Sequence, residues 1–321
     1  ARVRDCQRLE IQCHPRGRDE GPLDLLERGE LELFVGGWDE DLPAERLHRL
    51  AVDPKYVVQR APGSSLVYLS FRLDRGPTED LLVRRQIAAA IDRPAILAAI
   101  EGGEGAPTAS FAAPSIASWP QTNGPGAGTT IDREHNRKIA LRISAGRGEG
   151  RAARVARVVA AQLRTAGFAV EVATLPVQDK PDPQSALMAT SATARAAARK
   201  ALVALAESCD VRIEISHGMP YDPQQSLVAR FGGESHGGEP EVRAGNTAEL
   251  QALVRATARE TDEASLPPLY ARIQQLLDEQ ALVVPLYVPH RVAVHTAAVD
   301  GVVLPPDVYR VDLEGLHWRR P

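Results

Sequence analysis

Apolar positions along the chain recur at two short periods. Alternating runs read as strands, runs spaced three or four residues apart read as helices, and the two kinds follow one another from end to end. "RLEIQCHP" reads as a short strand. "GPLDLLERGELELFVGG" predicts a short helix, a turn at Gly29 and a strand over 30–35. "DLPAERLHRLAVDP" is a short amphipathic helix with Leu47 and Leu50 on one face. "KYVVQRAPGSSLVYLSFRLD" predicts two strands around a turn at Pro62, Gly63 and Ser64. In "PTEDLLVRRQIAAAID", Thr78 is the expected N-cap and Leu82, Ile87 and Ile91 the expected buried stripe. Asp92 caps the next helix, which carries Pro94 in its first turn.

Residues 102–136 are rich in Gly, Pro, Ser and Thr and predict a long, partly flexible surface loop. A strand ("RKIALRISAG"), a helix ("RAARVARVVAAQLRTAG") and a strand ("FAVEVATLP") follow. Val155, Val159 and Leu163 share one face of that helix, and Gly167 sits where a helix ends. The β-α-β order implies a parallel pair. "SALMATSATARAAARKALVALAES" predicts an Ala-rich helix or helix pair. The strand "CDVRIEIS" runs into "HGMPYDPQQSL". Asn246 and Glu249 form a capping box, "LPPLYARIQQLLDEQA" is a further amphipathic helix, and "LVVPLYVPHRVAVHT" gives two short strands broken at Pro289. Such alternation predicts an α/β protein without repeats or heptads.

The 321 residues suffice for two domains or one large one, and 44% apolar with 25% charged residues is a globular balance. A net charge of −4 argues against a nucleic-acid or membrane-surface role, and 4% aromatics against a base-stacking or sugar-lining groove. Cys6, Cys13 and Cys209 have neither metal-site nor disulfide-framework spacing. They read as ordinary thiols, with a Cys6–Cys13 bridge as the alternative. No apolar run approaches the ~18 residues of a spanning helix. The opening, "ARVRDCQRLEIQCHP", reads like mid-domain sequence, which predicts either an upstream continuation or a removed leader.

Chemical motifs are sparse. The chain has neither a phosphate-cradling glycine loop nor a nucleophile elbow, and its paired carboxylates lie in polar turns. His290 and His295 point to opposite faces of a strand-like run, so they do not share a metal. His217 and His236 flank the turn at Tyr221, Asp222 and Pro223, where loops can bring them together or leave both exposed. On residue types alone, this is a soluble α/β protein with no enzymatic signature.

Five ordered segments, spanning about residues 9–302, resemble extracellular solute-binding protein family 5, the substrate-binding proteins of peptide and nickel ABC importers. They are "LLERGELELFVG", "YLSFRLDRGPTEDLLVRRQIAAAIDRPAILAAIEGG", "RVVAAQLRTAGFAVEV", "CDVRIEISHGMPYDPQQSL" and "LPPLYARIQQLLDEQALVVPLYVPHRVAVHTAAVDGV". "PYDP" and "LPAERLHRLAVDPKY" look most like the nickel-binding branch. The resemblance implies a two-lobed periplasmic-binding fold, crossed near "YLSFRLD" and "VVPLYVP". Residues 71–285 would form a complete lobe II, and 1–70 with 286–321 a truncated lobe I. It implies a binding protein rather than an enzyme, with no resident cofactor and with nickel as possible cargo. Tyr221, His236 and His217 would be ligand-binding residues, His236 the metal ligand. Expected partners are a peptide or metal chelate, an ABC permease, and a chain or upstream segment completing lobe I. Neither nucleic-acid contact nor membrane insertion is expected, and the location would be periplasmic or cell-envelope associated. The chain departs from the family pattern in lacking the upstream part of lobe I, and in carrying "GPGAGTTIDREHNRK" where a helix is usual. Those departures keep an alternative open: a repurposed module, either the effector domain of a cytoplasmic transcription regulator or a structural subunit of a larger complex.

Overall fold

The computed structural model describes residues 21–36, 42–147, 150–175, 200, 204–205, 207–216, 223–232, 248–306, 310 and 312–319. Among them, helices α1 (Pro22–Glu27) and α2 (Ala44–Val52) accompany strands β1 (Leu33–Val35) and β2 (Tyr56–Ala61). Strand β3 (Leu66–Phe71) leads to α3 (Leu81–Ala89), α4 (Arg93–Glu101) and β4 (Gly105–Pro107). Next come α5 (Arg133–Asn136), β5 (Ala140–Arg147), α6 (Arg151–Thr165), β6 (Ala169–Leu175), β7 (Val211–Ser216) and α7 (Gln224–Phe231). The chain continues through α8 (Ala248–Thr257), α9 (Leu266–Glu279), β8 (Val283–Pro289), β9 (Arg291–Thr296), β10 (Val299–Asp300) and β11 (His317–Trp318).

Six of these strands form a large sheet ordered β4-β8-β3-β7-β5-β6, three form a small sheet ordered β1-β9-β2, and β10 pairs with β11. In the large sheet β5 runs parallel to β6 and β7, whereas β3 runs antiparallel to β7 and β8. Every residue of β3 and β8 is buried, as their nearly continuous apolar sequences require of central strands covered on both faces. The β-α-β unit forms as its pattern predicts, with Val155, Val159 and Leu163 fully buried beneath α6. Gly167 follows the helix cap at φ +104°, and a Cβ there would lie 2.7 Å from the Arg133 carbonyl oxygen.

β2 and β3 flank residues 62–65 as the pattern predicts, yet they do not pair with each other: β2 pairs with β9 in the small sheet, β3 with β7 and β8 in the large one. Three expectations need correction. The N-cap of α3 is Asp80, whose Oδ1 accepts from Leu82 N at 2.7 Å. Thr78 lies in the preceding 3₁₀ turn, where its buried hydroxyl donates to the Arg72 carbonyl at 2.6 Å. With the helix starting there, Leu82 is 49% exposed and Val83 joins Ile87 and Ile91 inside. The Gly/Pro-rich stretch is no surface loop throughout, because Phe111, Ala112, Ala113, Ile116 and Trp119 are all buried in the main core. Gln274 of α9 anchors it: its Oε1 accepts from Phe111 N at 2.9 Å and from Trp119 Nε1 at 2.8 Å. Thr122 Oγ1 donates to Asp278 one turn further along, at 2.7 Å.

Arg84 is buried, and among the described residues no carboxylate lies at hydrogen-bond distance from it. Its guanidinium instead donates to the carbonyls of Thr78, Glu79, Gln280 and Ala281, capping the end of α9. The small sheet has its own core of Leu23, Leu26, Phe34, Leu47, Leu50, Val292 and Val294. Arg46 braces it by pairing with Asp24 and Glu27 across α1 and α2, and its hydrogen bond holds the Asp24 carboxyl below the usual range. The segments carrying "RLEIQCHP", Cys6, Cys13, Asn246 and most of the Ala-rich helix lie outside the described residues.

Candidate functional site at the joint of the two sheets

The chain passes between the sheets twice, through residues 62–65 and through His290. Both passages leave the middle of the large sheet, because β3 and β8 are neighbours there. β7 lies on the other side of β3, antiparallel to it. Leu66, the first residue of β3, therefore stands opposite Ser216, the last residue of β7. The chain leaving β7, which carries the expected ligand loop, thus starts at the joint. Ser216 Oγ is 2.7 Å from Ser226 Oγ, which ties the strand end to α7. Tyr221, His236 and His217 lie outside the described residues.

Behind that strand end is a charged face. The pairing sets Tyr68 opposite Glu214 and Ser70 opposite Arg212. Glu214 Oε1 accepts from Ser70 Oγ at 3.3 Å and lies 3.5 Å from Arg212 Nε and 3.7 Å from Arg230 Nη1. The Arg230 guanidinium carbon lies 5.3 Å from the centroid of the Tyr68 ring, a cation–π contact. Tyr68 in turn meets Phe111 edge-on, so this face is continuous with the aromatic core.

On the opposite side of the two crossings the joint holds a partly open cavity of about 40 Å³, room for a few waters. Its polar wall comprises Arg60, Glu101, Glu104, Arg151, His290 and Arg291. Glu104 pairs with Arg60 Nε at 3.3 Å and with His290 Nδ1 at 3.2 Å, and Glu101 pairs with Arg151 Nε at 2.8 Å. Tyr287 donates its hydroxyl to Glu101 at 3.0 Å. Burial, aided by the Glu101 charge, pushes the phenol well above its ordinary value and keeps it neutral. Arg291 donates to the carbonyls of Pro305, Arg310 and Gly36, and Ser64 to that of Pro306. The C-terminal segment is thereby held against both crossings. Sequence reading assigned none of these groups to a site, and weighed His290 only as a metal partner of His295. The one signal was that "EGGEGAP" and "VPHR" each set a titratable residue beside chain-reversing Gly or Pro.

Among the described residues no group of three or more His, Cys, Asp and Glu side chains is placed to hold a metal ion. Cys209 is buried, and burial raises its thiol pKa, which makes it a poor nucleophile. No described helix is long and apolar enough to cross a membrane.

A family model described as bacterial extracellular solute-binding proteins, family 5 middle, matches residues 18–200, more than half of the chain. The chain belongs to this family. No curated protein matches it. Among solved solute-binding proteins, a dipeptide binding protein from Pseudoalteromonas sp. SM9913 in complex with Met-Leu is 18% identical with a TM-score of 0.68. The alignment covers 92% of this chain and 56% of that one. NikA from Brucella suis in complex with Fe(III)-EDTA is 18% identical at TM-score 0.67, covering 92% and 59%. NikA from Staphylococcus aureus in complex with Ni(L-His)2 is 13% identical at 0.66, again covering 92% and 59%. Likenesses at this identity establish the fold: the α/β, two-lobed periplasmic-binding architecture, of which this family member spans little more than half the length.

Proposed function

We propose that the chain is the ligand-binding part of an ABC-importer solute-binding protein and takes short peptides or nickel chelates. Family membership carries this reading. In support, the chain leaving β7 begins at the joint, where closure of one sheet's body on the other would enclose a ligand. The larger lobe comprises residues 71–285 together with the rest of β3 and β8, and the remainder of 1–70 and 286–321 contributes to the smaller. Tyr221 hydrogen-bonds the ligand, His236 ligates nickel through its imidazole, and His217 lines the same loop. The protein makes and breaks no bonds. It acts in the periplasm and hands its cargo to a permease.

Titration calorimetry tests the proposal, with nickel chloride alone, nickel with L-histidine or citrate, and a set of di- to tetrapeptides. Saturable heat from one class identifies the cargo. His236→Ala should weaken nickel binding by tenfold or more, as expected for losing one metal ligand, while peptide binding stays intact. Unchanged nickel affinity removes His236 from the site. A folded sample that gives no heat with any of these ligands would overturn the importer reading.

A further inference from the structure

We propose that Glu104 is an electrostatic latch that holds the small sheet away from the Ser216 end of β7, so that closure separates the Glu104–Arg60 pair. The inference rests on the hinged-closure reading above. Glu104 is firmly placed on the large sheet. It precedes Gly105, which stands opposite Pro289, and its carbonyl accepts from His290 N at 3.4 Å. A Cβ on Gly105 would fall 2.5 Å from the Val288 carbonyl oxygen, so this link approaches β8 more closely than a side chain allows. The Glu104 carboxylate then reaches off the large sheet. One oxygen meets Arg60, which stands opposite Val292 in the small sheet. The other meets His290, in the crossing itself.

Strand order gives the latch its direction. Along the edge of the large sheet the sequence is β4, β8, β3, β7. The two crossing strands occupy the middle, Glu104 flanks β4, and Ser216 ends β7 on the other side. Three strand spacings, roughly 14 Å, separate the flanks. A rotation about the crossings that carries the small sheet toward the β7 flank carries Arg60 away from Glu104. The cavity beside the pair leaves room for water to hydrate the charges as they part. The other charged groups facing this cavity have partners of their own: Glu101 holds Arg151 and Tyr287, and Arg291 holds three backbone carbonyls. Arg60 is 26% and Glu104 44% exposed at the side chain, so the pair is screened. It biases the open-to-closed ratio by about two- to fivefold rather than blocking closure.

The test is pulsed EPR on the full chain, spin-labelled at Val52→Cys on α2 and Leu82→Cys on α3, positions 70% and 49% exposed. Cys6 and Cys13 are replaced by serine, and Cys209 is left buried. The expected result is two distance populations whose ratio shifts about two- to fivefold in Glu104→Gln and, independently, in Arg60→Gln. About 0.5 M sodium chloride should shift the unsubstituted chain the same way and leave both variants unmoved. Two populations whose ratio neither substitution alters would overturn the latch and leave the hinge standing. A single distance in every sample would overturn both.

Discussion

Gln274 and Gln275 are adjacent, chemically identical and on the same helix, yet the structure assigns them very different energies. Gln274 is 3% exposed, and its carbonyl oxygen is the shared acceptor for the Phe111 amide and the Trp119 indole. Its own amide donates to Asp278 at 2.9 Å. Gln274→Leu keeps the bulk and removes the acceptor, so two buried donors lose their partner. At about 1–3 kcal/mol per stranded group, the expected loss is about 3–5 kcal/mol, a large share of a typical total stability of 5–15 kcal/mol. Gln275 lies on the exposed face and donates only to Glu279, four residues on. Gln275→Leu should therefore stay within about 0.5 kcal/mol. Urea unfolding followed by far-UV circular dichroism measures both. Because Trp119 contacts Tyr270 at a ring separation of 5.1 Å, near-UV signals should weaken in Gln274→Leu before the global transition. Equal midpoint shifts for the two variants would refute the view that this buried side chain anchors the long loop.

Two further outcomes follow from packing and charge. Burial raises the Asp278 carboxyl above its usual 3.8, and hydrogen bonds from Thr122 and Gln274 only partly offset this. A raised carboxyl binds its proton more tightly in the folded state. Its contribution to stability is therefore most favourable below 3.8 and is lost as pH rises through the raised value. The stability difference between wild type and Asp278→Asn, measured by urea unfolding from acid to neutral pH, should fall over that window and then level off. A flat difference would contradict the burial. A Cβ on Gly126 would lie 2.4 Å from Ala89 N and 2.6 Å from the Ala88 carbonyl carbon, whereas Gly128, at φ +75°, has nothing within 4 Å. Gly126→Ala should cost about 3 kcal/mol and Gly128→Ala about 1 kcal/mol, read from thermal melts, and the reverse order would contradict this packing.

What the sequence determined by itself is what local periodicity and short motifs encode. The apolar spacing of α2 and α6 named their buried faces, with Leu47, Leu50, Val155, Val159 and Leu163 all inside. The β-α-β order implied the parallel β5–β6 pair, and five ordered segments pointed to the family. Thr78 and Leu82 were misread because the helix start shifts by two residues when the Thr78 hydroxyl is taken up by the Arg72 carbonyl, a contact no propensity describes. Tertiary structure alone decided which sheet each strand joins. β2 and β3 are four residues apart and equally strand-like, yet they part company because their partners, β9 on one side and β7 and β8 on the other, arrive from much later in the chain. It also decided that Phe111 and Trp119 are core, that Gln274 differs from Gln275, and that Glu104 meets His290 from 186 residues away. The physical reason is common to all of these. Periodicity records how much of a residue is hidden, and hidden polar groups must find partners. Which partner each one finds depends on chain segments far away in sequence, and that is settled only when the two sheets and their connecting strands are packed together.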